Sequence, residues 1–358
     1  MKIIITGICG FVGSALAQSW LAQGHHTIIG LDNLSRPGSQ VNWQKLRSMG
    51  VRVIHGDIRH ASDVDALPPA DAVIDAAANP SVLAGVDGQS SSRQLVEHNL
   101  AGTINLLEYC RRHQAAFVML STSRVYQITA LLAVPTQAHG QRFVPGAPAA
   151  PIPGFSEAGI DESFPTGAPC SLYGATKLAS ENMALEYGQA FKFPVWINRC
   201  GVMAGAGQFA RADQGIFSYW IHSWHENAPL KYIGFDGTGR QVRDCLHPAD
   251  LIPLLDQQLA QPHHDWPVAD RVINVSGGMA SAMSLAELSQ WCAAHLKVER
   301  RVAADLTPRP FDLPWIVLDH SKATRLWNWQ PRQSTHDILL DIAEHARVHP
   351  DWLSLSRS

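Results

Sequence analysis

Ile3-Ile4-Ile5-Thr6-Gly7-Ile8-Cys9-Gly10-Phe11-Val12-Gly13, at the N-terminus, is the stretch that decides the fold. Its apolar run reads as a buried strand, and the residues from Phe11 to Gln23 continue as a helix. Between them a glycine stands at every third position, the spacing of a dinucleotide cradle. Gly7 permits the tight turn, Gly10 lets backbone approach a pyrophosphate, and Gly13 lets helix pack on strand. The first amides of that helix then face the phosphates with a favourable dipole. Taken alone the motif is permissive, and a Gly-rich turn without ligand fits it too.

Outward from this unit, strand-like and helix-like stretches alternate. Apolar runs at 2–6, 27–31, 51–55, 72–75, 117–120 and 195–198 read as parallel strands, and 11–23, 39–49, 93–113 and 172–191 as helices. That rhythm predicts an α/β fold, a doubly wound parallel sheet of Rossmann type with a smaller C-terminal α/β lobe. The expected division is 1–198 for the dinucleotide domain and 199–358 mainly for the lobe, with the chain able to cross back to the sheet. Within the lobe, 231–233 and 272–274 read as strands, and 248–260 and 285–297 as helices. Residues 128–169 are rich in Pro, Gly and Ala without periodicity. So long a stretch before Tyr173 suggests a lid, with plain disorder as the alternative.

Asp32 ends the second strand, where a carboxylate can accept from the adenosine ribose hydroxyls. A carboxylate there repels a 2′-phosphate and favours NAD over NADP, although Arg36 nearby could pair with that phosphate. Asp57, after the third strand, is placed either to touch the adenine edge or to cap a helix. The small residues Ala76-Ala77-Ala78 after the fourth strand let backbone lie close to the cofactor.

Tyr173 and Lys177 stand four apart and share one helix face. A phenol titrates near 10, too high for a base at neutral pH, and a neighbouring ammonium plus a positive nicotinamide would lower that value. Thr122, ending the fifth strand in Ser121-Thr122-Ser123, could donate to the same substrate oxygen. Alone, Tyr-x-x-x-Lys reads as a surface pair; behind a dinucleotide cradle it reads as a site for moving hydride.

Composition sets the outer limits. With 46% apolar and 16% charged residues and a net charge of −3, the chain suits a soluble enzyme and lacks the basic footprint of a nucleic-acid binder. Six scattered cysteines without Cys-x-x-Cys suggest reduced thiols, not disulfides or zinc, and no metal site is expected. His25-His26 and His263-His264 sit in turn-like contexts. Met1-Lys2, the apolar run and Ala15-Leu16-Ala17 imitate a secretory signal, but Gly7, Gly10 and Gly13 interrupt it, so a cytoplasmic protein without membrane association is expected.

These features resemble the extended short-chain dehydrogenase/reductase family, in its nucleotide-sugar epimerase and dehydratase branch. The likeness spans nearly the whole chain. It includes Asp32-Asn33-Leu34-Ser35-Arg36, Gly56-Asp57-Ile58-Arg59, Asn99-Leu100-Ala101-Gly102-Thr103 and Arg243-Asp244-Cys245-Leu246-His247. Within the branch the chain is most similar to the CDP-tyvelose (CDP-paratose 2-) epimerases, through Ser121-Thr122-Ser123-Arg124-Val125-Tyr126, the long insert, Gly159-Ile160-Asp161-Glu162-Ser163 and the run from Gly207 to Gly215. The resemblance implies a catalytic trio of Thr122, Tyr173 and Lys177. It implies NAD held by Gly7, Gly10, Phe11, Val12, Gly13, Asp32, Asn33, Asp57, Ile58, Ala76, Ala77 and Asn99, together with Tyr173 and Lys177. It implies a nucleotide sugar, CDP-linked by preference, met by Ser123, Arg199, Gln208, Arg211 and Arg243, and a homodimer joined through 93–113 and 172–191.

Departures matter. The branch often carries His at Asp75 and Asn at Val202, which leaves the phosphate contacts around Val202 open. Its dehydratases carry an acidic pair after the catalytic Thr, where this chain has Ser123 and Arg124, so no carboxylate stands ready to eliminate water. C2 epimerisation of a CDP-dideoxyhexose is the expectation. A 4-epimerase or a net oxidoreductase on another nucleotide sugar, or a silent NAD-binding regulator, stands as the alternative. Cys200 reads as a small buried residue or a neighbour of the sugar, Asp161-Glu162 as a loop or capping pair, and Trp220 and Trp224 as core.

Overall fold

The computed structural model describes residues 1–86, 88, 91–261 and 266–356, so His263 and His264 lie outside the described residues. Seven strands form the central sheet: β1 (Lys2–Thr6), β2 (Thr27–Asp32), β3 (Arg52–His55), β4 (Ala72–Asp75), β5 (Ala116–Thr122), β6 (Val195–Cys200) and β7 (Val272–Val275). Their order is β7-β6-β5-β4-β1-β2-β3, and every neighbouring pair is parallel. Connections run outward on either side of β1, which makes its C-terminal end the switch point where doubly wound sheets bind ligands.

Helices cover both faces, and this is why the strands are apolar throughout. Ile3 and Ile5 pack with Leu16, Trp20 and Leu255 on one face, whereas Ile4 between them packs with Leu106, Phe117 and Ala184 on the other. The helices that place the site are α1 (Phe11–Gln23), α2 (Gly102–His113), α3 (Ser171–Phe191) and α4 (Ile216–His225).

Three local departures from the sequence expectation have physical causes. First, β5 and β6 outrun their apolar runs, β5 through Ser121 to Thr122 and β6 through Arg199 to Cys200, because their polar residues are satisfied in place: Ser121 donates to Glu181, and Arg199 Nη2 donates to the same carboxylate at 2.7 Å. Second, the helix expected over 93–113 contains a π-turn, Glu97–Ala101, between Ser92–Val96 and α2. Third, residues 272–274 belong to the central sheet, with Ile197 opposite Val272 and Cys200 opposite Val275.

The C-terminal part builds a smaller sheet from Val202–Met203, Val242–Leu246, Ala282–Ser284 and Trp315–Ile316. Beside it α4 packs on Thr335–Val348 and Leu285–Leu296 around Trp220, Trp224, Ile338 and Ile342. Residues 128–169 contain helix Ile128–Ala133 and two hairpins, Thr136–His139 with Arg142–Pro145 and Phe155–Ser156 with Gly159–Ile160. They lie against the smaller sheet: Ile160 donates to the Val317 carbonyl at 2.9 Å, and Arg142 pairs with Glu287 at 2.5 Å. Among the described residues no helix is long and apolar enough to cross a membrane.

Candidate active site

A cleft of about 350 Å³ runs along the C-terminal ends of the sheet. Gly7, Gly10, Phe11, Val12 and Gly13 border it at the centre, Asp32, Asn33 and Ile58 toward β2 and β3, Ala76 and Ala77 beside β4, and Thr122, Tyr173 and Cys200 toward β5 and β6. Gly7 adopts φ +63°, and a Cβ on Gly13 would lie 2.5 Å from the Gly7 carbonyl oxygen. Any larger residue at either position would part strand from helix. Gly10 opens α1 with no side-chain cap, so the first amides of the helix are left for a ligand.

Asp32 is buried, accepting from the Cys9 amide on Oδ2 and from the Leu34 amide on Oδ1, each at 2.8 Å. Burial pushes its carboxyl up and the two amides pull it back. Each oxygen keeps a lone pair for a hydroxyl donor. Asn33 donates to Asp57 at 2.9 Å, and Arg59 donates to the same carboxylate through Nη2 at 2.7 Å and Nε at 3.0 Å. Although burial opposes it, that embrace holds Asp57 well below the usual carboxylate range. The Asp57 carboxylate also accepts the Arg59 amide at 2.9 Å, closing its own loop, while the helix that follows is preceded by His60. Gly56 and Ile58, on either side of it, border the cleft.

A strap crosses the cleft near Asp32. Gln208, Phe209, Gln214 and Gly215 line its inner side. The Arg36 guanidinium donates to the Phe209 carbonyl, and the Ser81 hydroxyl donates to Asp213 at 2.9 Å. From outside, Trp352 stacks on Phe209 (5.1 Å, 13°) and donates to the Gln208 carbonyl at 3.0 Å, and Arg211 Nε donates to the Ser356 carbonyl at 2.8 Å. Gln208 and Arg211 thus belong to this strap. Arg36, the side chain that could pair with a 2′-phosphate, is engaged by it; burial and the like charge of Arg211 push it down to about 10.

At the other end Thr122 and Cys200 are register partners, and α3 packs across them. Gly174 explains how closely: a Cβ there would lie 2.1 Å from the Arg124 carbonyl oxygen. The Thr122 hydroxyl accepts from the Arg124 amide at 3.2 Å, and it stands by the Tyr173 phenol, whose ionised form it favours. Burial pushes that phenol up to about 12, against the opposing pull of Thr122 and of the Arg124 charge. Lys177 is buried, which lowers it, and its charge is set against Asp75, Glu181 and Cys200. Asp75 is raised by its own burial while accepting from Thr6 at 3.0 Å and Thr103 at 3.2 Å. Tyr173 and Lys177 are both buried on α3, one turn apart, and the Arg124 charge is a further cation in the field of the phenol.

Arg124 belongs to a cluster. Its Nη1 donates to the Phe311 carbonyl at 3.2 Å, and Arg243 Nη2 donates to Asp312 at 3.1 Å. Arg309 adds a third guanidinium that repels both, and burial with this repulsion pushes Arg124 down to about 10. Three cations set against two carboxylates, Asp312 and Asp244, leave an excess of positive charge suited to an anionic ligand.

Comparison with known proteins places this geometry. The profile of the NAD dependent epimerase/dehydratase family matches residues 3–275. The chain belongs to that family. CDP-paratose 2-epimerase of Salmonella typhi is 31% identical over 345 residues, covering 94% of this chain and 96% of that protein. Among solved structures, UDP-glucuronic acid 4-epimerase from Bacillus cereus, in complex with UDP-glucuronic acid and NAD, is 25% identical with a TM-score of 0.75, over 97% of this chain and 99% of the other. UDP-glucose 4-epimerase from Thermotoga maritima shares the fold, with a TM-score of 0.76 at 19% identity over 97% and 99%. NAD is the family's cofactor, and the glycine cradle, uncapped amides and Asp32 fit it.

For this NAD-dependent family member the remaining sequence candidates fall as follows. Arg199 forms a buried pair with Glu181 and does not border the cleft, and Ser123 is buried behind Thr122. Asn99, on the π-turn, accepts from the Asn79 amide at 2.8 Å and donates to the Asn79 carbonyl at 3.1 Å, fixing the loop after Ala78. Asp161 accepts from the Ser163 amide and Glu162 from the Asn274 amide, both as loop fasteners. Cys200 is both buried and at the cleft, and Val202 borders it too. All six cysteines are free thiols, and among the described residues no group of three or more His, Cys, Asp or Glu could hold a metal ion. Sequence reasoning missed Glu181, Trp352, Arg309 and Asp312. Only Arg309-Pro310-Phe311-Asp312 carried a local signal, a charged pair in a Pro-bounded loop.

Proposed function

We propose that this protein is an NAD-dependent nucleotide-sugar epimerase that inverts C2 of a CDP-dideoxyhexose. The observation that carries the reading is that Thr122 and Tyr173 together line the end of the cofactor cleft, next to the arginine cluster. In this reading Arg243, with Arg309 beside it, holds the diphosphate, a task suited to a planar fork. Thr122 donates to the sugar hydroxyl oxygen, and the Tyr173 phenolate takes that hydroxyl's proton. Bound in the cleft, NAD would supply hydride chemistry, taking a hydride from the carbon that bears this hydroxyl and returning it to the opposite face of the keto sugar, with no net change in the cofactor. Tyr173 then gives the proton back to the oxygen. Lys177 fixes the cofactor ribose and carries a charge balanced by Asp75 and Glu181. The glycines, Phe11, Val12, Asp32, Ile58, Ala76 and Ala77 hold the dinucleotide in the domain of residues 1–198. Residues 199–358 supply most of the sugar-nucleotide contacts and return one strand to the sheet.

C2 inversion and the cytidine base are supported by the likeness to CDP-paratose 2-epimerase. The pair Ser123-Arg124 offers no carboxylate for dehydration. The test is to mix the protein with CDP-paratose, without added cofactor, and follow the sugar by NMR. A C2 epimer without net NADH supports the reading, and stoichiometric NADH makes the protein a net oxidoreductase. Turnover only of UDP-glucuronic acid or UDP-glucose makes it a 4-epimerase, and no turnover of any sugar leaves a binding protein.

The working unit proposed is a homodimer in the cytosol. Val96, Leu172 and Phe191, exposed on the helices that flank the catalytic residues, offer an apolar seam for a two-fold contact. A monomeric mass by light scattering at micromolar concentration would refute the dimer.

A further inference from the structure

We infer that His98 reads the adenine base of NAD, its ring Nε2 accepting a proton of the exocyclic amino group. NAD is the family's cofactor, so the inference stands apart from which sugar is bound and which carbon inverts. It starts from the helix that carries His98. Asn105 on α2 donates to the Ile58 carbonyl at 2.8 Å, and a Cβ on Gly102 would lie 2.6 Å from Ile58 Cδ1, so this face of the helix presses on the residue after Asp57. One turn back along the same face stands His98, on the π-turn, half-buried and bordering the cleft as Gly56 and Ile58 do. Its neighbour Asn99 turns elsewhere, to Asn79 and Thr176. Asp32 at the end of β2 is the carboxylate suited to the adenosine ribose, so the base beyond it falls toward β3 and the Gly56–Ile58 turn. His98 comes to that corner from the helix side.

The hydrogen on the ring is fixed by a neighbour. Nδ1 lies 3.0 Å from the Gln94 carbonyl oxygen, which can only accept, so Nδ1 carries the hydrogen and in the neutral ring Nε2 keeps a lone pair. Among the described residues nothing donates to that lone pair. The carboxylate beside Ile58 is already well supplied: Asp57 accepts from Asn33, from the Arg59 amide and from Arg59 Nε and Nη2, which fills its roughly four lone-pair sites. Adenine presents a donor, its amine, whose two protons leave one for the imidazole whatever acceptor meets the other. Hypoxanthine carries a carbonyl at that position. The Nε2 lone pair would repel it, and to donate instead the ring would have to move its hydrogen off Nδ1 and give up the Gln94 bond. A site built to accept from an amine rejects the analogue that lacks one.

The experiment compares two dinucleotides that differ at this one group, and it needs neither sugar nor turnover. Purified protein is exchanged against a large excess of an equimolar mixture of NAD and nicotinamide hypoxanthine dinucleotide, freed of unbound nucleotide and denatured, and the released dinucleotides are quantified by chromatography. Wild type should retain NAD over the analogue by about tenfold or more, the scale of one well-placed hydrogen bond against its mismatch. His98→Phe keeps a flat ring on the cleft wall but loses the acceptor, and its ratio should fall to within about threefold of parity. His98→Gln can turn either its oxygen or its nitrogen to the base, so its preference should be similarly small. A merely structural role for His98 would weaken both dinucleotides together and leave their ratio where it was. A wild-type ratio near parity, or a His98→Phe ratio within about twofold of the wild-type value, overturns the inference. If His98→Phe does not fold, the ratio in His98→Gln decides on the same terms.

Discussion

Glu181 receives Arg199 through Nη2 at 2.7 Å and Nε at 3.1 Å, and on its other oxygen it takes the Ser121 hydroxyl. The pair sits beneath the strand ends that carry Thr122 and Cys200, with the Arg199 guanidinium also lying 5.2 Å from the Tyr126 ring. Burial alone would lower Arg199, yet the Glu181 charge holds it above its ordinary value. This buried pair joins α3 to β5 and β6, which is the joint the catalytic residues share.

Breaking one partner strands the other charge away from water. Arg199→Met should therefore cost about 3–5 kcal/mol of stability, and Glu181→Gln somewhat less, since the amide can still accept. Equilibrium denaturation checks this, alongside KM for the nucleotide sugar. A stable Arg199→Met with a strongly raised KM would return Arg199 to the role of substrate ligand.

Arg199 also marks where sequence reading stops. The cradle was legible because its constraints are local: Gly7, Gly10 and Gly13 answer to one turn and one helix start, and Tyr173 with Lys177 to one helix face. The seven-strand sheet was legible for most of its length because burial on both sides leaves uninterrupted apolar runs. What an Arg contacts is set by partners far along the chain, and Glu181, Phe311 and Asp312 come from separate elements. The strap was equally hidden, since Trp352 reaches Phe209 from the other end of the sequence. Past their apolar runs β5 and β6 carry Ser121 and Arg199, and the burial of these two is comprehensible only once Glu181 is known to satisfy both.

Strap and coenzyme should be coupled. Trp352→Ala removes both the stack on Phe209 and the bond to the Gln208 carbonyl, so the strap should lift more readily from a cofactor held beneath it. NAD release from the purified protein, followed by dialysis or by fluorescence of bound NADH, should become at least about tenfold faster, the equivalent of roughly 1.4 kcal/mol. Arg36→Ala should act in the same direction. A release rate equal to wild type in both variants would show that the strap does not retain the dinucleotide.

Acid should weaken the same end of the molecule. His222 and His345 touch at 3.4 Å between α4 and Thr335–Val348; burial, aided by His345 at the one and by His349 at the other, lowers them from 6.5 to about 3 and about 4. The unfolded imidazoles take protons near 6.5, whereas the folded ones resist until far lower pH. The neutral rings thus favour the folded state above that value, and the advantage is lost as pH falls through the window. For His222, only 1% exposed, the loss by about pH 5 is on the order of 2 kcal/mol. Denaturant melts near pH 7 and pH 5 should differ by at least that much, and less in His222→Phe. An identical difference in His222→Phe would place the acid sensitivity elsewhere.

The catalytic assignment faces the hardest test at Tyr173. Tyr173→Phe keeps the ring in its buried place on α3 but removes the phenol oxygen, so NAD and nucleotide-sugar binding should survive while turnover falls by about 10²–10⁴. Lys177→Met should lower the rate comparably and also weaken NAD. It removes a buried ammonium and leaves Asp75 without that counter-charge, while Glu181 keeps Arg199, so a drop in melting temperature should accompany it. Thr122→Val deletes a hydrogen bond and no charge, and its effect should be the smallest of the three. With substrate deuterated at C2, the label should return to the same carbon of the epimer, because a hydride that leaves for the cofactor and comes back never meets water. Complete wash-out of the deuterium would exclude hydride transfer at C2 in favour of another carbon or a deprotonation. Near-wild-type turnover in Tyr173→Phe would remove the phenol from the chemistry altogether.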